Sequence, residues 1–371
     1  MLTRVLGALS SRLAAGVDEV FTRAALQGAR STGARDLSPA ERLEAIGRAR
    51  VDYGDPGLIA EPERFFAPPA PGDEGRLTRV RSGELGVAVD DLRWRSGYEP
   101  FGAGVAARYR SHEANAVAVA RLVRRPHERR PAVVLIHGYL GGELRLDEAF
   151  WPVDWLLAQG LDVALFVLPF HGERRRDRRA RPVFPSNDPR FTIEGFRQAI
   201  GDVRWLMRWL RAHGAPAVGA VGMSLGAYTT ALLATVEPEL AFGGLLVPLA
   251  SLADFARDGE RLAGTDDERS AQHLALEEAL RVVSPLARPS RLAGDRLVVL
   301  AGESDRITPL AHAERLSSHF GAPLERFRGG HIVQLGRGQA LASLGRVIER
   351  SVGHPDRPRR DDEPRTTGGW S

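Results

Sequence analysis

Three side chains carry the chemistry that this sequence could perform. Ser224 lies in Gly222-Met223-Ser224-Leu225-Gly226, Asp305 in Gly302-Glu303-Ser304-Asp305-Arg306-Ile307-Thr308-Pro309, and His331 in Arg328-Gly329-Gly330-His331. A serine hydroxyl is too weakly acidic to attack an ester unaided. An imidazole has to take its proton, and a carboxylate has to hold that imidazole in one tautomer and stabilise the cation that forms. The order serine, acid, histidine leaves enough chain between successive members for strand–helix crossovers. Plainer readings stand beside this one. Ser224 could simply fit a tight turn, Asp305 could cap the helix after Pro309 while Glu303 or Asp254 serves as the acid, and His331 could start a helix.

The elements that would position these residues are legible as apolar runs. Residues 217–221 are small and β-branched, suiting a buried strand, and 231–233 suit a helix, so the chain turns from strand to helix at Ser224 with no loop between. Glycine stands two before and two after the serine because a Cβ there would clash in so tight a turn. Other strands buried on both faces are expected at 132–136, 163–168, 242–249 and 297–301, with a short one at 324–327. Short alternating segments at 87–94 and 116–123 read as antiparallel strands. Helices are expected at 146–159, at about 192–210 with Thr192 as its cap, at 309–320 and at the C-terminal end around Leu341, Leu344 and Ile348. Buried strands alternating with amphipathic helices specify a mostly parallel sheet covered on both faces, with its chemistry at the C-terminal ends of the strands.

The rest of the chain is organised around that sheet. Residues 2–21 space Leu2, Val5, Leu6, Leu9, Leu13, Val17 and Phe21 three or four apart, an amphipathic helix for packing on the protein's own body or on a second subunit, with attachment to a membrane surface as the alternative. Residues 53–75 are rich in Pro, Gly and acidic groups and read as an extended linker. An insertion at 251–283 carries Phe255, Leu262, Leu274 and Leu280, the candidate lid over a substrate pocket. The stretch after Gly353 reads as a disordered tail.

Composition narrows the chemistry. The 371 residues are 43% hydrophobic, ordinary for a globular chain. No apolar run is long enough to cross a bilayer, which leads to the expectation of a cytoplasmic protein with no stable membrane insertion. There is no cysteine, excluding thiolate nucleophiles, disulfides and cysteine-based metal sites, and every one of the 51 basic residues is Arg, excluding Schiff-base chemistry. A net charge of +4 supplies no strong field for nucleic acid. His137 and His171 both end strands, and loop-shaping hydrogen bonds are expected of them rather than metal binding. The run Arg174 to Arg181 reads as a solvated surface or, since it follows a strand on the reactive side, as a rim that attracts an anionic substrate.

From about residue 77 to 352 the sequence resembles the α/β-hydrolase superfamily, through the His137-Gly138 turn, the Ser224 elbow, the segment Gly302-x-x-Asp305-x-x-x-Pro309 and the pair Gly330-His331, all in the superfamily's order. The extension Ser224-Leu225-Gly226-Ala227-Tyr228 is similar to the dienelactone hydrolase, acetyl esterase and prolyl oligopeptidase branch. The resemblance implies an eight-stranded, mostly parallel sheet with helices on both faces, a small helical cap at about 251–290, and Ser224, Asp305 and His331 as the triad. It places one oxyanion-hole N–H on Tyr139, with Leu140 as the alternative. The other falls to Leu225, at the positive end of the helix after the nucleophile. The chain then divides into an N-terminal helix and linker (1–76), the hydrolase domain (77–352) and the tail (353–371). The expected activity is hydrolysis of a small-molecule carboxylic ester through an acyl-enzyme, with no metal or organic cofactor. The alternatives are a peptidase, amidase or acyltransferase using the same triad, or a non-catalytic binding protein on this fold.

Overall fold

The computed structural model describes residues 37–67, 74–82, 86–177 and 179–353. The expected helix at 2–21 and the tail after 353 lie outside the described residues. The centre is one sheet of nine strands: β1 (Arg76–Ser82), β2 (Ala88–Arg95), β3 (Val117–Arg124), β4 (Ala132–Ile136), β5 (Asp162–Phe166), β6 (Val218–Met223), β7 (Gly243–Leu246), β8 (Leu297–Gly302) and β9 (Leu324–Phe327). Their spatial order is β1-β2-β3-β5-β4-β6-β7-β8-β9. β1, β2, β3 and β5 pair antiparallel, and β5, β4 and β6 to β9 run parallel. The expectation of eight strands is therefore corrected to nine. β1 is the one that pattern reading missed, because every residue in it is exposed and no apolar alternation marks it.

Both faces are covered, because strands buried on two sides need an apolar layer on each. One layer holds Pro189–Ala212 and Leu225–Val236, whose Phe196, Ile200, Leu206, Tyr228 and Leu232 pack on β4 and β6. The other holds Leu144–Phe150, Val153–Ala158 and Arg337–Val352, with Trp151, Leu156, Leu344 and Ile348. The single helix expected at 146–159 is two, broken at Trp151-Pro152, since proline cannot donate to the preceding turn. The cap of the long helix is also corrected. Asp188 accepts from Arg190 N at its start, while Thr192 lies inside the helix and its hydroxyl donates to Ser186 O at 3.0 Å.

Within the expected linker at 53–75, residues 53–67 form packed structure, while 68–73 lie outside the described residues. Residues Gly57–Ala60 and Pro62–Arg64 form short helical turns, and Phe65 and Phe66 are buried. Burying a side chain of that size contributes roughly 1.5–3 kcal/mol, enough to hold a Pro- and Gly-rich stretch on the body. Ahead of it, Pro39–Tyr53 starts from a Ser38–Glu41 capping box and ends with the Tyr53 hydroxyl donating to the buried Glu194 at 2.5 Å. Among the described residues no helix is long and apolar enough to cross a membrane.

Candidate active site

β6 ends at Met223 and the helix Leu225–Val236 begins two residues later, so Ser224 alone makes the turn, at φ 54° and ψ −115°. That positive φ is strained for any residue with a Cβ and lifts the serine clear of strand and helix. The flanking glycines are required by contact. A Cβ on Gly222 would lie 2.0 Å from Gly226 O, and one on Gly226 would lie 2.0 Å from Ile136 O. The first turn of the helix leaves its N–H groups, Leu225's among them, without intrahelical acceptors beside the serine.

Asp305 and His331, far apart in sequence, meet on the neighbouring strands. β8 delivers Asp305 and the loop after β9 delivers His331, whose Nδ1 lies 2.8 Å from Asp305 Oδ2; both residues are buried. The acid's other oxygen, Oδ1, accepts from the backbone N–H groups of Ile307 (2.8 Å) and Thr308 (2.7 Å). The loop carrying His331 is fastened towards the serine. Gln334 Nε2 donates to His331 O at 3.1 Å and reaches Met223 Sδ at 3.7 Å, the residue before Ser224. The structure thus joins Asp305 to His331 directly and brings the His331 loop against the elbow that holds Ser224.

The competing acid is used elsewhere. Asp254 bonds His273 Nε2 at 2.9 Å and pairs with Arg257 and Arg315, which leaves it committed to the cap. These partners hold its carboxyl below the usual range against the opposing effect of burial, which is the larger single influence. Asp254, His273 and Glu277 lie close enough together to suggest a metal ligand set, but the two guanidinium groups already neutralise the carboxylate.

The loop after β4 lies on the other side of the serine. Gly138 comes so close that a Cβ there would be 3.5 Å from Ser224 Cβ. Tyr139 follows, and its hydroxyl donates to Pro182 O at 3.2 Å, tying this loop to the end of the Arg-rich segment. Burial raises the Tyr139 phenol's pKa, while the positive charges of Arg181 and Arg261 pull it down. His137 and His171 brace the loop as expected: His137 Nε2 accepts from Leu168 N at 3.1 Å, and His171 Nδ1 donates to Pro169 O at 2.8 Å.

The Arg-rich run is not one surface. Arg174 is completely buried, donating to Val167 O and Asn115 O and pairing with Asp202 at 2.8 Å, so for this residue the solvated reading is corrected. Burying a guanidinium requires a partner for its charge, and that need holds the start of the segment against the body. Arg176 and Arg179 are exposed.

The insertion after β7 forms two helices, Leu252–Asp258 and Asp266–Ala279. Arg50 pairs with Glu278, and Arg42 donates to Arg261 O, so the N-terminal helix Pro39–Tyr53 lies against the insertion. The expected end of the cap near 290 is too late. Ala279, Leu280, Val282 and Val283 belong to the main core. His312 ties the root of the cap to the body by accepting from Ala250 N at Nδ1 (3.2 Å).

That bond has a pH consequence. Burial, the largest influence, lowers the His312 pKa below 6.5, against Asp254 and Asp258. The folded state therefore binds this proton less readily than the unfolded chain. Its contribution to stability is complete above about pH 6.5 and is lost as pH falls through the lowered folded value. His312→Asn keeps an acceptor and removes the titration. Wild type should lose melting temperature relative to His312→Asn as pH drops from about 7 to 5; parallel pH curves for the two proteins would refute this.

Comparisons with known proteins place this geometry. No family model matches the chain. Two curated proteins of Mycobacterium tuberculosis, "Uncharacterized protein MT2702" and "Uncharacterized protein Rv2627c", are 33% and 32% identical over 285 residues, covering 75% of this chain and 68% of theirs. The chain belongs to their family. Among solved structures, acetyl xylan esterase 1 from Thermoanaerobacterium sp. JW/SL YS485 is similar with a TM-score of 0.55 at 15% identity, over 78% of this chain and 93% of that one. The acetyl xylan esterase from Paenibacillus sp. R4 has the same TM-score and identity, over 80% and 93%. The fold is that of the α/β-hydrolase superfamily.

Sequence reading passed over two residues of the site. Thr308 sits in the acid turn, where an Asp followed three residues later by Thr and then Pro is a local signal of a side chain turned back on the acid. Gln334 had no such signal, because its partner Met223 is distant in sequence.

Proposed function

We propose that the protein is a serine hydrolase that cleaves carboxylic esters through an acyl-enzyme. The observation that carries this reading is the buried 2.8 Å bond between His331 Nδ1 and Asp305 Oδ2, on a loop that Gln334 fastens to the elbow holding Ser224 at positive φ. Asp305 accepts a hydrogen bond from His331 Nδ1–H, which fixes the tautomer and leaves Nε2 as the base. Ser224 Oγ attacks the ester carbonyl and gives its proton to Nε2. The backbone N–H groups of Leu225 and Tyr139 hold the oxyanion, each worth about 3 kcal/mol of transition-state stabilisation. Collapse expels the alcohol, which takes the proton from His331. Water then attacks the acyl-Ser224 with His331 again as base, releasing the carboxylic acid and restoring the serine.

A fluorophosphonate tests the nucleophile, and matched p-nitrophenyl esters and anilides test the reaction. One covalent label per chain and faster turnover of the ester support this reading. Preferential cleavage of the anilide would make the protein an amidase, and no label with no turnover would leave a binding protein on the same fold.

The surroundings of Tyr139 favour an ester bearing an anionic group. Arg181 and Arg261 both act on its phenol, and Arg261 stacks on Phe255 at 4.5 Å and has no carboxylate partner among the described residues, with burial lowering its own pKa. A p-nitrophenyl hemisuccinate should be hydrolysed with higher kcat/KM than its neutral methyl ester, and Arg261→Met should reduce that ratio about tenfold while leaving the neutral ester alone. Equal losses on both substrates would refute the anionic preference.

A further inference from the structure

Thr308 contributes more to the site than the backbone N–H already described. Its hydroxyl lies 2.9 Å from Asp305 Oδ2, 3.0 Å from His331 Nδ1 and 3.1 Å from Val247 O, and all four residues are buried. Val247 directly follows β7 at φ 43°, a conformation that a β-branched residue adopts only under constraint. Its N–H donates to Leu300 O at 2.7 Å, which clamps it to β8, the strand that leads to Asp305. The carbonyl against which the threonine rests is therefore fixed on the same frame as the acid.

A hydroxyl has one proton to give. Asp305 Oδ2 and Val247 O compete for it, and the ionised carboxylate is the stronger acceptor. With Oδ1 occupied by the two backbone N–H groups, a proton from Thr308 leaves Oδ2 with two donors, Thr308 and His331. We infer that Thr308 is a positioning residue of the acid–histidine pair: its hydroxyl donates to Asp305 Oδ2 and fixes the direction in which that oxygen meets His331. This inference rests on the proposed serine hydrolase reading for its catalytic meaning, but the hydrogen bond itself can be measured without a substrate.

Two consequences separate this role from simple packing. Without the hydroxyl, Oδ2 has only His331 as donor and draws the Nδ1 proton more strongly, so that proton's NMR resonance should move downfield. The charge that the hydroxyl had been sharing is then free to stabilise the imidazolium, so the acidic limb of the kcat/KM profile should move to higher pH. The carboxylate also loses one of the four contacts that orient it, so turnover should fall although substrate binding is untouched.

The experiment uses full-length wild type, Thr308→Val and Thr308→Ser. Valine keeps the β-branched shape without the hydroxyl, and serine keeps the hydroxyl. In Thr308→Val the Nδ1–H resonance should move downfield, kcat on p-nitrophenyl acetate should fall about 10- to 100-fold at unchanged KM, and the acidic limb should shift upward. Thr308→Ser should return the resonance and the limb to their wild-type positions and kcat to within about threefold. An unmoved resonance in a folded Thr308→Val protein overturns the inference, as does a kcat loss that serine does not rescue. If the resonance behaves as expected while wild type turns over no ester, the hydrogen-bond assignment stands and the hydrolase reading is what fails.

Discussion

Ser224→Ala should leave a folded protein that fluorophosphonate no longer labels and whose kcat on p-nitrophenyl acetate is down about a millionfold. The size follows from the proposed mechanism: with the serine oxygen gone the acyl-enzyme cannot form, and what remains is the acceleration supplied by binding and the oxyanion N–H groups. Stability should hardly change. The Ser224 side chain forms no cap hydrogen bond with its helix, and alanine carries the same Cβ through the strained turn. A melting temperature within a few degrees of wild type, together with lost labelling, is the expected pair of results. Persistent labelling of the alanine variant would place the nucleophile elsewhere.

Asp305→Asn should cost about 10⁴-fold in kcat, for a reason written in its hydrogen bonds. The N–H groups of Ile307 and Thr308 both point at Oδ1, so the asparagine oxygen is held there and its amide NH₂ must take the place of Oδ2. That NH₂ then faces His331 Nδ1, previously 2.8 Å from a carboxylate. To accept from it, the imidazole has to carry its proton on Nε2, the nitrogen that should receive the serine's proton. The base is lost through the wrong tautomer, without any displacement. Asp254→Asn should leave kcat within about threefold, since that carboxylate is spent on His273, Arg257 and Arg315. A larger loss from Asp254→Asn than from Asp305→Asn would reverse the assignment of the acid.

Much of this site could be read from the chain because its chemistry depends on local backbone. The glycines around Ser224 declare a tight turn: a Cβ on Gly222 collides within the turn itself, with Gly226 O, while one on Gly226 collides with Ile136 O of the neighbouring strand β4. Gly302, Asp305 and Pro309 declare the turn after β8 that carries the acid. The buried strands from β4 to β8 showed themselves as apolar runs because two covered faces leave no room for alternation. β1 was silent for the opposite reason, being exposed along its length. Residues 57–66 looked like linker because proline, glycine and charge normally mark one, and only the pocket that receives Phe65 and Phe66 makes them structural. Arg174 looked like its neighbours in the run; its burial depends on Asp202, which approaches from the long helix Pro189–Ala212.

By itself, the amino-acid sequence determined the fold class and the order of the parts. Without cysteine or lysine any covalent chemistry is left to oxygen or imidazole nitrogen, and the elbow, the turn after β8 and the Gly-His pair named which residues to look for together. The tertiary structure alone decided which carboxylate meets His331, which arginine is buried, and that the hydroxyl of Thr308 and the strained carbonyl of Val247 stand behind the pair. These are matters of distance between strands brought together by packing, and residue spacing along a chain carries no record of which side chains the sheet will set within 3 Å of one another.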